Sequence, residues 1–68
     1  MTTLNLLINQ KPHQLPVGAT VADAAALLRL RMPFAAAVNL QFVPRSQHAQ
    51  HVLNDQDKVE LITPVTGG

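Results

Sequence analysis

Few residues of this sequence carry chemistry. It ends in Thr63-Pro64-Val65-Thr66-Gly67-Gly68. The reactive group there is the α-carboxylate of Gly68. Glycine has no β-carbon, so Gly67 and Gly68 form a thread that can enter a narrow channel and take either sign of φ. The same dipeptide also reads as a frayed chain end. His48 and His51 stand three apart and would share a face on a helical turn. Zinc needs three or four ligands, there is no cysteine, and the nearest carboxylates are Asp55 and Asp57. The two histidines therefore read as solvated loop residues, with no metal site. The only serine is Ser46, and Gly18 stands alone. A nucleophile with its base and orienter is missing, and so is a glycine-rich phosphate loop. Such a chain reads as a protein acted upon by others, with no active site and no bound cofactor of its own.

The elements that must position the tail come from a chain of 68 residues, 47% of them apolar. A domain this small buries only about 60% of its unfolded surface and is marginally stable. Without cysteine it depends wholly on its core. The net charge is +1, with Lys11, Arg29, Arg31, Arg45 and Lys58 scattered along the chain. That is not the basic stripe of a nucleic-acid binder. No apolar run approaches the ~20 residues that span a bilayer, and no basic-then-apolar leader opens the chain. The expectation is a cytoplasmic protein with neither nucleic-acid nor membrane partners.

Leu4, Leu6 and Ile8 recur with period two across Thr3 to Asn9, the mark of a half-buried strand. Leu7 breaks the polar side of that pattern. Gln10-Lys11-Pro12 signals a turn, followed by a short edge strand from His13 to Val17 that contains Pro16. Thr20 is a good N-cap, and Asp23 stands where a capping box places its acid. Val21, Ala24, Ala25, Leu28 and Met32 then mark one face of a helix from Val21 to Met32, which Pro33 stops. Leu27 and Leu30 fall on its far side as surface leucines. Phe34 to Leu40 reads as a strand bending at Asn39, with Phe42-Val43 as another. Ser46 to Val52 reads as a helical turn or loop. Asn54 to Asp57 is a turn cluster, and Lys58 to Val65 is the last strand. The order β-β-α-β-β-β predicts an α+β roll with a mixed sheet of four to five strands, one helix across it, and the first and last strands paired centrally. Residues 1–66 form one domain, and 67–68 a flexible tail. Leu7 and Ile62 have outward parity and, with Val65, are the candidate partner-binding residues.

Several of these residues fit a known pattern in order and spacing. They are Thr20-Val21 and Leu28, Ala37-Val38-Asn39, Val43-Pro44-Arg45, Asp55-Gln56-Asp57 before Val59, and Gly67-Gly68. The chain resembles the sulfur carriers of thiamin biosynthesis, the ThiS family, within the ubiquitin-like β-grasp superfamily. It departs from the pattern at Gln56, where glycine is usual, and at His48, near which many members carry an aromatic residue. The resemblance implies that an E1-like adenylyltransferase uses ATP to adenylate the carboxylate of Gly68. A sulfur donor system then converts it to a thiocarboxylate, which delivers sulfur to thiazole synthase. Gly67 would give the tip access to both partner sites. The small subunit of molybdopterin synthase shares the implied fold and tail chemistry, though such chains are usually longer. A ubiquitin-like modifier joined to lysines through Gly68, or a plain interaction module, are the readings from other classes.

Overall fold

Alternation sets the sheet. Along β1 (Thr3–Ile8), Leu4, Leu6 and Ile8 are buried, and Thr3, Asn5 and Leu7 face outward. This is the period of a strand with one covered face. The computed structural model describes residues 2–31 and 33–63. Met32, Val65, Gly67 and Gly68 lie outside the described residues, and with them the extension of the last strand beyond Thr63 and the division between domain and tail.

β1 turns through Asn9 and Gln10, both at positive φ (52° and 69°), into β2 (Lys11–Pro16). Two positive φ values mark the type I′ turn that suits a two-residue hairpin loop, and asparagine tolerates the first of them. The hairpin thus turns one residue earlier than Gln10-Lys11-Pro12 suggests. Pro12 is accommodated inside β2 because of its direction. Val17 N–H donates to the Thr2 carbonyl at 3.1 Å, so the odd-numbered residues of β2 face β1. Pro12, Gln14 and Pro16 then point their backbone away from the sheet, where a missing N–H costs no ladder bond. Gly18, at φ 95°, carries the chain from β2 toward the helix.

Thr20 caps helix α1 (Val21–Leu27) in a complete capping box. Its Oγ1 accepts from Asp23 N–H at 3.3 Å, and its own N–H donates to Asp23 Oδ2 at 2.9 Å. Val21, Ala24 and Ala25 are buried, as the helical face predicts. The helix is much shorter than the expected Val21 to Met32. Arg29 adopts φ 56° and donates to the Ala26 carbonyl, and Leu30 donates to that of Ala25, each at 3.0 Å. This is a Schellman closure with arginine in the position that glycine usually holds. It leaves Leu28 as a half-buried C-cap and swings Leu30 back against the core, so Leu30 is not the surface leucine its place on the wheel suggests.

β3 (Ala35–Val38) and β4 (Gln41–Val43) form a second hairpin of the same kind, turning at Asn39 (φ 51°) and Leu40 (φ 70°). A 3₁₀ turn (Arg45–Gln47) follows, and β5 (Lys58–Ile62) closes the fold. Among the described residues the sheet has five strands in the order β2-β1-β5-β3-β4. β5 runs parallel to β1 and antiparallel to β3, so the first and last strands do pair at the centre. The helix covers one face, with Leu53, Val59 and Leu61 filling the core beneath it. The result is the mixed β-grasp roll that the pattern predicts.

Gln56 sits at φ 71° in the turn before β5. The left-handed region costs an L-residue roughly 1–2 kcal/mol, against about 0.5–1 kcal/mol for the extra entropy of glycine. Gln56→Gly is therefore expected to stabilise the fold by about 0.5 kcal/mol and to raise Tm by about 2–4 °C. A thermal melt checks it. A lower Tm would show that the side-chain bond from Gln56 to Asp55 outweighs the backbone strain.

Candidate functional site

The strand that leads to the tail is held more firmly than its length suggests. β5 spans only Lys58–Ile62, but both type I′ turns clamp it. On one side Asn9 N–H donates to the Val59 carbonyl at 2.9 Å. The Asn9 amide then donates through Nδ2 to the Leu61 carbonyl at 3.2 Å and accepts Leu61 N–H at Oδ1 at 2.9 Å. One side chain thus takes the place of a further strand residue. On the other side Asn39 N–H donates to the Lys58 carbonyl at 2.7 Å, and Asn39 Oδ1 accepts Lys58 N–H at 3.0 Å. Asn39 Nδ2 donates to Asp57 Oδ1 at 3.0 Å, and the other oxygen of that buried carboxylate accepts Asn54 N–H at 2.8 Å. A buried carboxylate is tolerable only when its lone pairs are filled in this way.

The entry to β5 is tied to β1 as well. Asp55 Oδ1 accepts Asn5 N–H at 2.7 Å, and Gln56 N–H donates to the Asn5 carbonyl at 2.7 Å. The bond from the Asn5 backbone, with a smaller contribution from the Gln56 side chain, holds the exposed Asp55 carboxyl below its ordinary pKa, since both bonds favour the charged form.

The uncovered sheet face holds the exposed candidates. Leu7 is 38% exposed and Ile62 59%, both on this face as their parity predicts. The structure does not bring them together. Leu7 lies beside Lys58 and Ile62 beside Ala35, with Lys58 and Glu60 separating them along β5. Across from Ile62 stands Ala35, and a further exposed apolar side chain on this face, Phe42, lies one strand beyond β3. Phe42 pairs across from Ala37 and is 69% exposed. Sequence reasoning passed over Phe42, although its parity opposite the buried Val43 carries the signal.

His48 lies on the other side of the molecule and is buried, not solvated. Its ring stacks on Phe34 with centroids 5.1 Å apart and planes 13° from parallel. Nε2 stands 3.1 Å from the Val43 carbonyl and donates to it as N–H. The imidazole is a bonded core group that ties the 3₁₀ turn to β4. His51 is half-buried, and its carbonyl accepts Val21 N–H at 3.1 Å, which anchors the start of the helix.

Comparison with known proteins places this arrangement. The chain matches the family model described as the ThiS family over residues 6–68. It is 38% identical over 66 residues to the sulfur carrier protein ThiS of Escherichia coli strain K12, covering 96% of this chain and 100% of that protein. The crystal structure of the thiamine biosynthesis protein ThiS from Geobacter metallireducens superposes with a TM-score of 0.77, covering 96% of this chain and 100% of that one. At 22% identity this second likeness speaks for the fold alone. Fold, strand order and a sequence match that runs through both terminal glycines agree, and the chain belongs to the ThiS family.

Proposed function

We propose that this protein is the sulfur carrier of thiamin biosynthesis and that Gly68 carries the sulfur. The observation that supports this most is the family match, which extends over residues 6–68 and so includes Gly67 and Gly68. The carboxylate of Gly68 is a poor electrophile. In the proposed reaction it attacks the α-phosphate of ATP in the site of an E1-like activating enzyme, and pyrophosphate leaves. The acyl-adenylate now has AMP as a leaving group. Sulfide-level sulfur from a donor adds to the carbonyl carbon, AMP departs, and a thiocarboxylate remains for delivery to thiazole synthase. The chain itself supplies a rigid base and a side-chain-free tip. ATP belongs to the partner. The four residues from Val65 to Gly68 can reach roughly 14 Å when extended, far enough for the globule to stay outside the catalytic pocket.

Intact-mass spectrometry of protein co-expressed with its activating enzyme and a sulfur donor tests this reading. The expected product gains the mass difference of one oxygen replaced by sulfur, at Gly68. An unchanged mass, or isopeptide-linked adducts on other proteins, would overturn it.

The activating enzyme is proposed to rest on the open sheet face, with Leu7 and Ile62 as contacts and Val65 leading into the channel. Exposed aromatic and aliphatic residues often anchor interfaces, and Phe42 extends the Ile62 half of this surface. Ile62→Asp and Phe42→Ala are expected to weaken binding by about tenfold or more, equivalent to roughly 1.4 kcal/mol. Leu7→Asp tests the other half separately. Calorimetric titration, alongside circular dichroism to show an intact fold, checks all three. Unchanged affinity for every variant would move the interface off this face.

A further inference from the structure

Lys11, Arg29, Arg31 and Arg45 are far apart in sequence, and the fold gathers them. β5 ends at Ile62, opposite Ala35, the first residue of β3. The loop that feeds Ala35 carries Arg29 and Arg31, both exposed. Ala36 pairs with Val43, and the exposed Arg45 follows two residues later. Leu30 and Arg45 line one shallow groove, so this loop and the 3₁₀ turn are neighbours. Across the sheet, the Asn9 side chain is bonded to Leu61, which brings the first hairpin, and exposed Lys11 with it, to the same end. The cations other than Lys58 thus lie toward the end of the sheet where the chain leaves β5 for residues 64–68, with Lys11 level with Val59 through Ile8.

Three of the four side-chain carboxylates lie elsewhere. Asp55 and Asp57 precede β5, at its opposite end, and Asp23 sits in the first turn of the helix. Glu60 lies mid-strand on the open face. The net charge is only +1, so the feature is a separation of charge rather than an excess.

We infer that these four cations form a collar that steers the chain, tail first, onto an acidic protein surface bordering the activating partner's channel. The inference rests on the carrier reading and names the chemistry of the partner at that site. A protein surface fits better than a bound nucleotide phosphate. Lys11 follows the β1–β2 turn and Arg45 follows β4, near opposite edges of the sheet. Four strand spacings of about 4.8 Å separate those edges, or roughly 19 Å, too far for one phosphate group to bridge. All four side chains are exposed and act through their summed field, which raises encounter rates between complementary surfaces. Placed at the tail's root, that field orients the molecule so that its reactive end arrives first.

The test is stopped-flow association with the activating enzyme across a range of ionic strength. The parent is compared with Lys11→Gln/Arg29→Gln/Arg31→Gln/Arg45→Gln and with Arg29→Lys/Arg31→Lys/Arg45→Lys. Thermal melts monitor the fold, and the pairs Lys11→Gln/Arg45→Gln and Arg29→Gln/Arg31→Gln stand in if the quadruple variant unfolds. The expected result is a loss of about tenfold or more in association rate at low salt for the quadruple variant. Its dependence on salt should flatten, while the lysine variant associates as the parent does. A parental rate and salt slope in the neutralised variants would overturn the collar and leave the carrier reading standing. A raised KM for ATP with unchanged association would assign the cations to nucleotide phosphate and also overturn it. If the parent itself neither binds nor supports ATP–pyrophosphate exchange, the carrier reading falls, and the collar with it.

Discussion

Adding a single alanine after Gly68 is expected to abolish ATP–pyrophosphate exchange while leaving the thermal melt unchanged. The proposed chemistry needs a carboxylate at one fixed distance from the globule. An added residue moves that group by about 3.3–3.6 Å. A shift of about 1 Å from a near-attack geometry can already cost on the order of a hundredfold in rate. Gly67→Val should have the same outcome for a different reason, because it adds a β-branched side chain where the channel is expected to require none. Neither change touches a residue of the described core, so activity and stability should separate cleanly. Full exchange by the extended chain would refute the carrier mechanism. A preserved melt with lost exchange is the result the mechanism requires.

The largest expected effect on stability comes from Leu53→Ala. Leu53 is 2% exposed and among the largest fully buried side chains. Its N–H donates to the Ala19 carbonyl at 2.8 Å, so the segment after the 3₁₀ turn is pinned under the start of the helix. Truncating a fully buried leucine costs about 2–5 kcal/mol, from a total of roughly 5–15 kcal/mol for a typical domain. Tm should fall by about 10 °C or more. Leu28→Ala, at the half-buried C-cap, should cost no more than about 2 kcal/mol. Chemical denaturation of the two variants side by side checks the order. A larger loss at Leu28 than at Leu53 would contradict the packing described.

The strands were legible because one face of the sheet is buried and the other is not. Leu4, Leu6 and Ile8 in β1, and Val59 and Leu61 in β5, carry the period-two signal that such a sheet imposes, and all are buried. The helix start was legible in Thr20 and Asp23, whose side chains serve the local backbone. Its end was not, because the αL position that closes it holds Arg29 instead of the glycine that announces a stop. Asn9 read as a strand residue, since nothing local marks an asparagine whose amide will pair with a strand 52 residues away. The segment from Ser46 to Val52 has no period, so burial of His48 against Phe34 could not be seen before the fold brought them together. Outward parity put Leu7 and Ile62 on the open face, where both are exposed, but could not tell that β1 and β5 align with those two residues apart. The tail reading rests on residue type and resemblance alone, and Gly67 and Gly68 lie outside the described residues.

The placement of β5 bears on what happens when the tail is pulled. A partner that draws in the tail loads β5 along its own axis. The bonds to β1 and β3 lie across that direction, so they must slide together and cannot open one after another. A slip of a single residue would also turn Val59 and Leu61 toward solvent and break both bonds from the Asn9 side chain. Tension on the tail is therefore borne by the whole central ladder at once. The C-terminal segment can serve as a handle, because traction on it loads the bonds to β1 and β3 together instead of peeling them apart one by one.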